Sequence, residues 1–159
     1  MKTWRLWLPA IAALLVAYAL KHHYSVASPQ SLRWVLGPTA TLTSALLGEE
    51  FIWQTGVGYL SPDLSIVIAK ACAGVNFLIV AFVTLALGFG PRFPDLRRRA
   101  LWTAGALALA YSATLIANTA RIALSVLVAH HAARATGLSF QAAHRALVRL
   151  VGEMNRGSC

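Results

Sequence analysis

The chain has 159 residues, of which 58% are hydrophobic and only 12% are charged, and its net charge is +9. Because a soluble domain carries about 25% charged residues, this composition excludes an ordinary soluble domain and indicates an integral membrane protein. The basic residues flank apolar runs, as lipid headgroups and topology signals require, and do not form the aromatic-interleaved stripe that nucleic-acid binding needs. No linker or repeat divides residues 1–159, so we expect a single integral membrane domain.

The N-terminal segment predicts a first membrane anchor. Lys2 and Arg5 precede an apolar run from Leu6 to Leu20. A signal peptide has the same pattern, but the Ala-rich continuity and the lack of a cleavage site favour an anchor. The positive flank places the N-terminus in the cytoplasm and Lys21–Tyr24 at the outer interface.

Two segments between the anchor and the next long apolar run are short or broken. Leu32 to Leu47 predicts either a short span or a re-entrant or interfacial helix, since Gly37, Pro38 and hydroxyl side chains interrupt it. Phe51 to Leu60 is aromatic and broken by glycine, which predicts an extended segment or hairpin at the interface.

The sequence next predicts two long helices joined by a cytoplasmic loop. Ser61 as N-cap and Pro62 in the first turn predict a helix that runs to about Phe89 and ends in the Gly88–Pro91 segment. The loop that follows is placed inside by its arginines, which are Arg92, Arg97, Arg98 and Arg99.

The second long helix is predicted from Ala100 through Arg121 towards Ala133. If no further span follows Arg121, the basic tail lies outside, and a short span from about Ile122 to Ala133 would place it inside instead. The acyl-transfer chemistry predicted below favours a basic tail on the outer side. Beyond Gly137, Leu138 to Met154 predicts an amphipathic helix with His144 on its apolar side. The fold class predicted is therefore all-α, a multi-pass transmembrane bundle with interfacial amphipathic helices.

The polar residues around Cys72 and around Arg121 are predicted to lie at the same depth in the membrane, one group on each long helix. Arg121 lies roughly 30 Å above Leu101, at the outer edge of the hydrocarbon. Cys72 is predicted about 10–15 Å below the outer start of its own helix. Helical side chains tilt towards their own N-terminus, so the Cys72 and Arg121 side chains are predicted to meet just under the outer surface.

These residue types suit acyl transfer. A thiolate is a strong nucleophile, which neighbouring cations such as Lys70 and Arg121 favour. An arginine can stabilise a developing oxyanion, and a histidine can act as general acid and base. The prediction is a Cys72 nucleophile, an Arg121 charge stabiliser and a His144 acid–base.

Each of these residues also has a structural interpretation. A lone cysteine in a helix is usually a packing residue, Asn76 suits helix–helix contact, and Lys70 suits the interface. Cys159 at the C-terminus does not form a disulfide framework with Cys72. A polar stripe at helical spacing is harder to explain by packing alone, because arginine at membrane depth needs partners; it comprises Thr114, Asn118, Arg121 and Ser125.

The motif order resembles that of the exosortase/archaeosortase family. Ala71–Gly74 is followed some 45 residues later by Asn118–Arg121 and then by a histidine, and residues 58–77 resemble the compact type called exosortase K. The resemblance covers roughly Phe51 to Gly152, with Ala73 where many members have serine. It implies a cysteine transpeptidase or peptidase that processes C-terminal sorting signals of exported proteins.

The resemblance also implies the site. Cys72 is its nucleophile, Arg121 its arginine and His144 its histidine, with His130 and His131 left as alternatives. The substrate-binding candidates are Asn118, Asn76, Lys70 and Tyr59. No metal or other cofactor is expected, the partners are the sorting signal and membrane lipid, and the predicted location is the bacterial inner membrane with the site near its extracytoplasmic face. A non-enzymatic transporter subunit or assembly partner, and a metal hydrolase, are the rival predictions.

Overall fold

The computed structural model describes residues 6–61 and 66–136, which are mostly helical. In chain order the elements are α1 (Leu8–Val26), α2 (Arg33–Leu47), the strands β1 (Ile52–Gln54), β2 (Gly58–Ser61) and β3 (Ile66–Ile68), then α3 (Val75–Phe89) and α4 (Leu96–Thr136). Three single 3-10 turns precede α2, α3 and α4, at Gln30–Leu32, Lys70–Cys72 and Gly90–Arg92. The amphipathic helix predicted for Leu138 to Met154, with His144, lies outside the described residues.

Helix α3 packs between α1 and α4. Phe82 of α3 is buried among alanines of both neighbours, Ala13 and Ala17 on α1 and Ala106 and Ala110 on α4. Because alanine side chains are small, the backbones of neighbouring helices can approach each other closely. A second cluster joins α2 to the strands and α4, and it includes Leu32, Leu36, Ile68 and Ile122.

The predicted hairpin is confirmed and is part of a larger sheet. β1 pairs antiparallel with β2, with Trp53 opposite Tyr59, and β2 pairs antiparallel with β3, with Tyr59 opposite Ile68. Gly58 has φ +132°, and a Cβ there would collide with the Ile68 carbonyl oxygen, so only glycine fits at this position. The structure is mostly helical, but the prediction of an all-α fold is wrong because the chain forms a three-stranded sheet after α2 and before α3.

The helix predicted to begin at Ser61 is also wrong. Ser61 ends β2, Ile66–Ile68 form β3, and α3 does not begin until Val75. The β-branched run Ile66-Val67-Ile68 pairs with β2, and Gly74 in the left-handed region (φ +63°) turns the chain into α3. Cys72 thus lies in the 3-10 turn before α3, and its predicted depth within a spanning helix is wrong.

The predicted end of α3 and the continuity of α4 agree with the structure, whereas α1 extends to Val26, beyond the predicted Leu20, and α4 begins at Leu96, before the predicted Ala100. α3 ends at Phe89, within the Gly88–Pro91 segment, and α4 runs without interruption past Arg121 to Thr136. The segment Leu32 to Leu47, left open by the sequence, is the helix α2, which at 15 residues is about 22 Å long. Within the described residues, two segments are long and apolar enough to cross a bilayer, Lys70–Arg92 and Leu96–Val128.

Candidate active site

Cys72 is carried by a tight turn that is fixed to the protein core. Its backbone N–H donates to the Ala69 carbonyl at 2.8 Å, and the Ala73 N–H donates to the Lys70 carbonyl at 3.0 Å. The thiol is free, half-buried, and packed against the buried cluster of α2, β3 and α4. A turn anchored in this way holds the sulfur at one place, which a nucleophile needs.

Cys72 and Arg121 line the same groove. Its volume is about 270 Å³, and it runs between strand β3 and helix α4. The Arg121 side chain is exposed, and its guanidinium has no hydrogen-bond or ion-pair partner within residues 6–61 and 66–136. The groove therefore combines a thiol with an unengaged cation; its complete lining is Ile66, Val67, Ile68, Cys72, Arg121, Ile122, Ser125 and Val126.

Lys70 ties the Cys72 turn to the end of helix α1. Its Nζ donates to the Ala27 carbonyl at 2.9 Å and to the Ser25 carbonyl at 3.3 Å, and it lies 5.2 Å from the centre of the Tyr24 ring. The Tyr24 hydroxyl donates in return to the Lys70 carbonyl at 3.4 Å. Two of the three ammonium donors are thus engaged by main-chain carbonyls, which assigns Lys70 a structural role in holding the turn.

A second cavity adjoins the groove and shares Arg121 with it. This cavity is about 360 Å³ and lies at the N-terminus of α3, between that helix, Tyr24 and α4. Asn118 and Asn76 both line it. Asn118 is buried, whereas Asn76 is exposed and accepts a hydrogen bond from Lys21 Nζ at 2.9 Å.

Tyr59 lies apart from both cavities. It sits at the centre of β2 with its ring edge-on to Trp53, the two centroids 5.0 Å apart, and it packs against the buried cluster of α2 and β3. Tyr59 is not among the residues that line the groove or the second cavity. Its contacts are those of a packing residue of the sheet.

The polar stripe of α4 divides into two parts. Thr114 and Asn118 are buried, and the Thr114 hydroxyl donates to the Ala110 carbonyl at 2.7 Å within its own helix. Arg121 and Ser125 are exposed and line the groove. Ser125 was not among the predicted site residues, although its place in the stripe was the signal that could have identified it.

The predicted acid–base histidine is not placed at the groove, and the described residues contain no candidate metal site. His144 lies outside the described residues, and within them no histidine lines the groove. Across residues 6–61 and 66–136, no three His, Cys, Asp or Glu side chains converge as a metal ion requires. The protein groups described at the groove are therefore a thiol, a guanidinium, a hydroxyl and the backbone of β3.

Comparisons with protein families, with curated proteins and with solved structures find no match to this chain.

Proposed function

We propose that this protein is a membrane-embedded cysteine transpeptidase or peptidase of the exosortase type, which cleaves C-terminal sorting signals of exported proteins. The observation that carries the proposal is the shared groove of Cys72 and Arg121. The two residues come from separate elements 49 positions apart in the sequence, and the fold places both against one cavity. A thiol nucleophile and a guanidinium that can stabilise an oxyanion are two of the groups that acyl transfer to cysteine uses.

Placement in a membrane is supported by the exposed surface of the helices. Only 17% of the residues in the most apolar stretch of the candidate span Leu96–Val128 are buried, whereas the core helix of a soluble domain is mostly buried. Large apolar side chains are exposed along its length, among them Leu101, Leu109, Ile116 and Leu124. From Leu101 to Arg121 this helix rises roughly 30 Å, the thickness of the hydrocarbon layer. We place the protein in the bacterial inner membrane as a multi-pass protein, with the groove near the extracytoplasmic face.

The reaction begins with attack by Cys72. The thiol gives its proton to an imidazole, which we assign to His144, and the thiolate adds to a carbonyl carbon at the sorting motif. The Arg121 guanidinium stabilises the oxyanion that forms. The C–N bond then breaks, leaving a thioester on Cys72, and the departing amine takes the proton from the imidazolium. An amine or hydroxyl acceptor at the cell surface, or water, then attacks the thioester carbonyl and releases the thiol.

The form of the groove suits an extended peptide. β3 is an edge strand of the described sheet, since the strand order is β1-β2-β3, and all three of its residues line the groove beside Cys72. Unpaired edge N–H and C=O groups bind an extended segment by strand addition. A motif that pairs with β3 would lie in the same groove as Cys72. We therefore assign the recognition of the motif to the edge of β3.

A second candidate function is a non-enzymatic polytopic protein. It is favoured by Asn118 and Thr114, which lie one turn apart on α4 and are both buried, as in a structural polar seam between helices. In that case Cys72 would be a packing residue, which its contact with the buried cluster also allows.

Two measurements test the proposed function, and the first also separates it from the second candidate. The first compares the C-termini of exported proteins in cells that carry the wild type, Cys72→Ala or, as a matched control, Cys159→Ser. We expect unprocessed C-terminal anchors to accumulate only with Cys72→Ala, at wild-type levels of the protein in the membrane. Normal processing by Cys72→Ala would remove the proposal and leave the structural function.

The second measurement uses the Cys159→Ser variant, in which Cys72 is the only thiol because the chain has 2 cysteines. A membrane-impermeant maleimide added from the extracytoplasmic side is expected to label Cys72 in intact cells. Labelling only after the membrane is opened would place the groove on the wrong side for exported substrates.

A further inference from the structure

The cavity at the N-terminus of α3 is rich in hydrogen-bond donors and has no acidic lining. It is bounded by residues 74–77 at the start of α3, by Tyr24, and by Ala117, Asn118 and Arg121 of α4. Within the described part of the chain, no aspartate or glutamate lines it. A cavity of about 360 Å³ accommodates a small anionic group together with ordered water.

The first turn of α3, which lines this cavity, has main-chain donors without acceptors inside the helix. The first hydrogen bond of the helix runs from the Leu78 N–H to the Gly74 carbonyl at 3.1 Å, so the N–H groups of Val75, Asn76 and Phe77 precede any acceptor within the helix. Gly74 is the N-cap and has no side chain with which to cap them. The helix dipole adds positive potential at the same end, and the combination favours an anion.

A buried side chain independently indicates an absent acceptor. Asn118 is only 6% exposed and lines the cavity, yet its Nδ2 has no hydrogen-bond partner among the described residues. Its amide lies directly over Gly74, at the first turn of α3. A buried amide donor without a partner has lost its hydrogen bonds to water without replacement, so an acceptor in the cavity would recover that energy.

Two cationic side chains add positive charge at this end of the cavity. The unengaged Arg121 guanidinium lines it from α4, and Lys21 reaches its edge through the 2.9 Å hydrogen bond to Asn76 Oδ1. The cavity also lies near the start of the candidate membrane span Lys70–Arg92, at the depth where a bilayer places its headgroups. The exposed Phe77 ring lies at the same end.

We propose that this cavity binds the phosphate group of an anionic phospholipid headgroup. The phosphate oxygens accept hydrogen bonds from the first-turn N–H groups of α3 and from Asn118 Nδ2, and Arg121 neutralises the charge. The inference rests on the membrane placement given under the proposed function, but not on the chemistry of Cys72. Because Arg121 lines both cavities, a bound headgroup would lie next to the Cys72 groove and fix the guanidinium beside it.

Lipid binding to the full-length protein in a non-ionic detergent tests this inference. The affinities for phosphatidylglycerol and for phosphatidylcholine are measured for the wild type and three variants by native mass spectrometry. Asn118→Asp keeps the shape of the side chain but replaces a donor with a negative charge, and Gln54→Glu makes the same change on the exposed β1 strand. Cys72→Ala tests independence from the reaction.

We expect the wild type to prefer phosphatidylglycerol, and Asn118→Asp to weaken that binding by about tenfold or more, because a charge-assisted hydrogen bond becomes a repulsion. Gln54→Glu and Cys72→Ala should bind as the wild type does. Equal affinity for the two lipids, or wild-type affinity in Asn118→Asp, would overturn the proposal. Because Cys72→Ala should lose processing and retain lipid, the failure of one proposal is distinguishable from the failure of the other.

Two further arms complete the test. Inorganic phosphate that displaces phosphatidylglycerol would show that the phosphate alone is recognised, and Asn118-dependent binding without such competition would show that the lipid is the source; both support the site. If Asn118→Asp does not fold, Arg121→Gln decides. Its loss of phosphatidylglycerol binding supports the site, and its retention of that binding overturns it.

Discussion

No Cβ atom fits between Gly74 and the side-chain amide of Asn118. A Cβ built on Gly74 would collide with the amide group, and the backbone of Gly74 has φ +63°, which residues with a Cβ rarely adopt. This contact joins the chain just before α3 to the middle of α4. It also fixes the position of the Cys72 turn, which ends two residues before Gly74.

Gly74→Ala is therefore expected to destabilise the protein. The left-handed backbone conformation costs roughly 1–2 kcal/mol for a residue with a Cβ, and the collision with Asn118 adds an overpacking cost of about 1–3 kcal/mol. Thermal unfolding of the detergent-solubilised protein, followed by circular dichroism, measures the loss.

Gly105→Ala is the matched control for that substitution. Gly105 lies inside α4, and a Cβ built on it meets nothing within 4 Å. Because alanine is favoured over glycine in a helix interior by about 1 kcal/mol, we expect unchanged or slightly increased stability. A Gly74→Ala protein as stable as Gly105→Ala would contradict the close contact with Asn118.

Two adjacent arginines in the first turn of α4 are expected to differ sharply in their contribution to stability. Arg99 donates to the carbonyls of Phe93 at 2.7 Å, Leu6 at 3.0 Å and Pro91 at 3.3 Å, so it joins the start of α1 to the loop. Within residues 6–61 and 66–136, the Arg98 side chain makes one ion pair, with Asp95 at 3.4 Å, and both side chains are more than 60% exposed.

Arg99→Met should lower the free energy of unfolding by about 2 kcal/mol, since three main-chain acceptors lose a charged donor. Arg98→Met should lower it by less than about 0.5 kcal/mol, as is usual for an exposed ion pair. Thermal unfolding of the two variants side by side provides the comparison. Equal effects would show that the Arg99 contacts do not hold the loop.

Lys70 offers a test of how the Cys72 turn is positioned. Lys70→Met removes the donors to the Ala27 and Ser25 carbonyls and is expected to cost about 1–2 kcal/mol. Lys21→Met removes one exposed side-chain hydrogen bond and should cost less. In the Cys159→Ser background, the rate of maleimide labelling at Cys72 should change in Lys70→Met and be restored towards the wild type by Lys70→Arg. An unchanged rate in Lys70→Met would mean that the turn keeps its position without this contact.

Breakers and periodicity in the sequence predicted much of this fold. The end of α3 near Gly88–Pro91 and the hairpin within Phe51 to Leu60 followed from glycine, proline and aromatic residues. The continuous helix α4 followed from an uninterrupted apolar run that carries the Asn118–Arg121 cluster. In each case a local signal agreed with the tertiary structure.

The segment before α3 was not predictable in the same way. Leu64 to Phe89 is one long apolar run, and periodicity alone cannot separate a buried strand from a buried helix in such a run. The β-branched Ile66-Val67-Ile68 and the isolated Gly74 were the local signals for a strand and a helix start. The pairing of β3 with β2, which decides the outcome, is a contact between strands that no single segment reveals. The cavity beside α3 depends on the same helix start and was missed for the same reason.

Arg121 is the residue through which the two proposed sites can be compared, because it lines both the Cys72 groove and the cavity at the start of α3. We expect Arg121→Gln to lower processing by about 100-fold, as the loss of an oxyanion donor does, and to weaken phosphatidylglycerol binding as well. Cys72→Ala should lose only processing, while Asn118→Asp loses lipid binding. Sorting-signal processing in cells and native mass spectrometry of the same variants measure the two effects. If Arg121→Gln retains both functions, the guanidinium contributes to neither site, and both roles proposed for Arg121 are wrong.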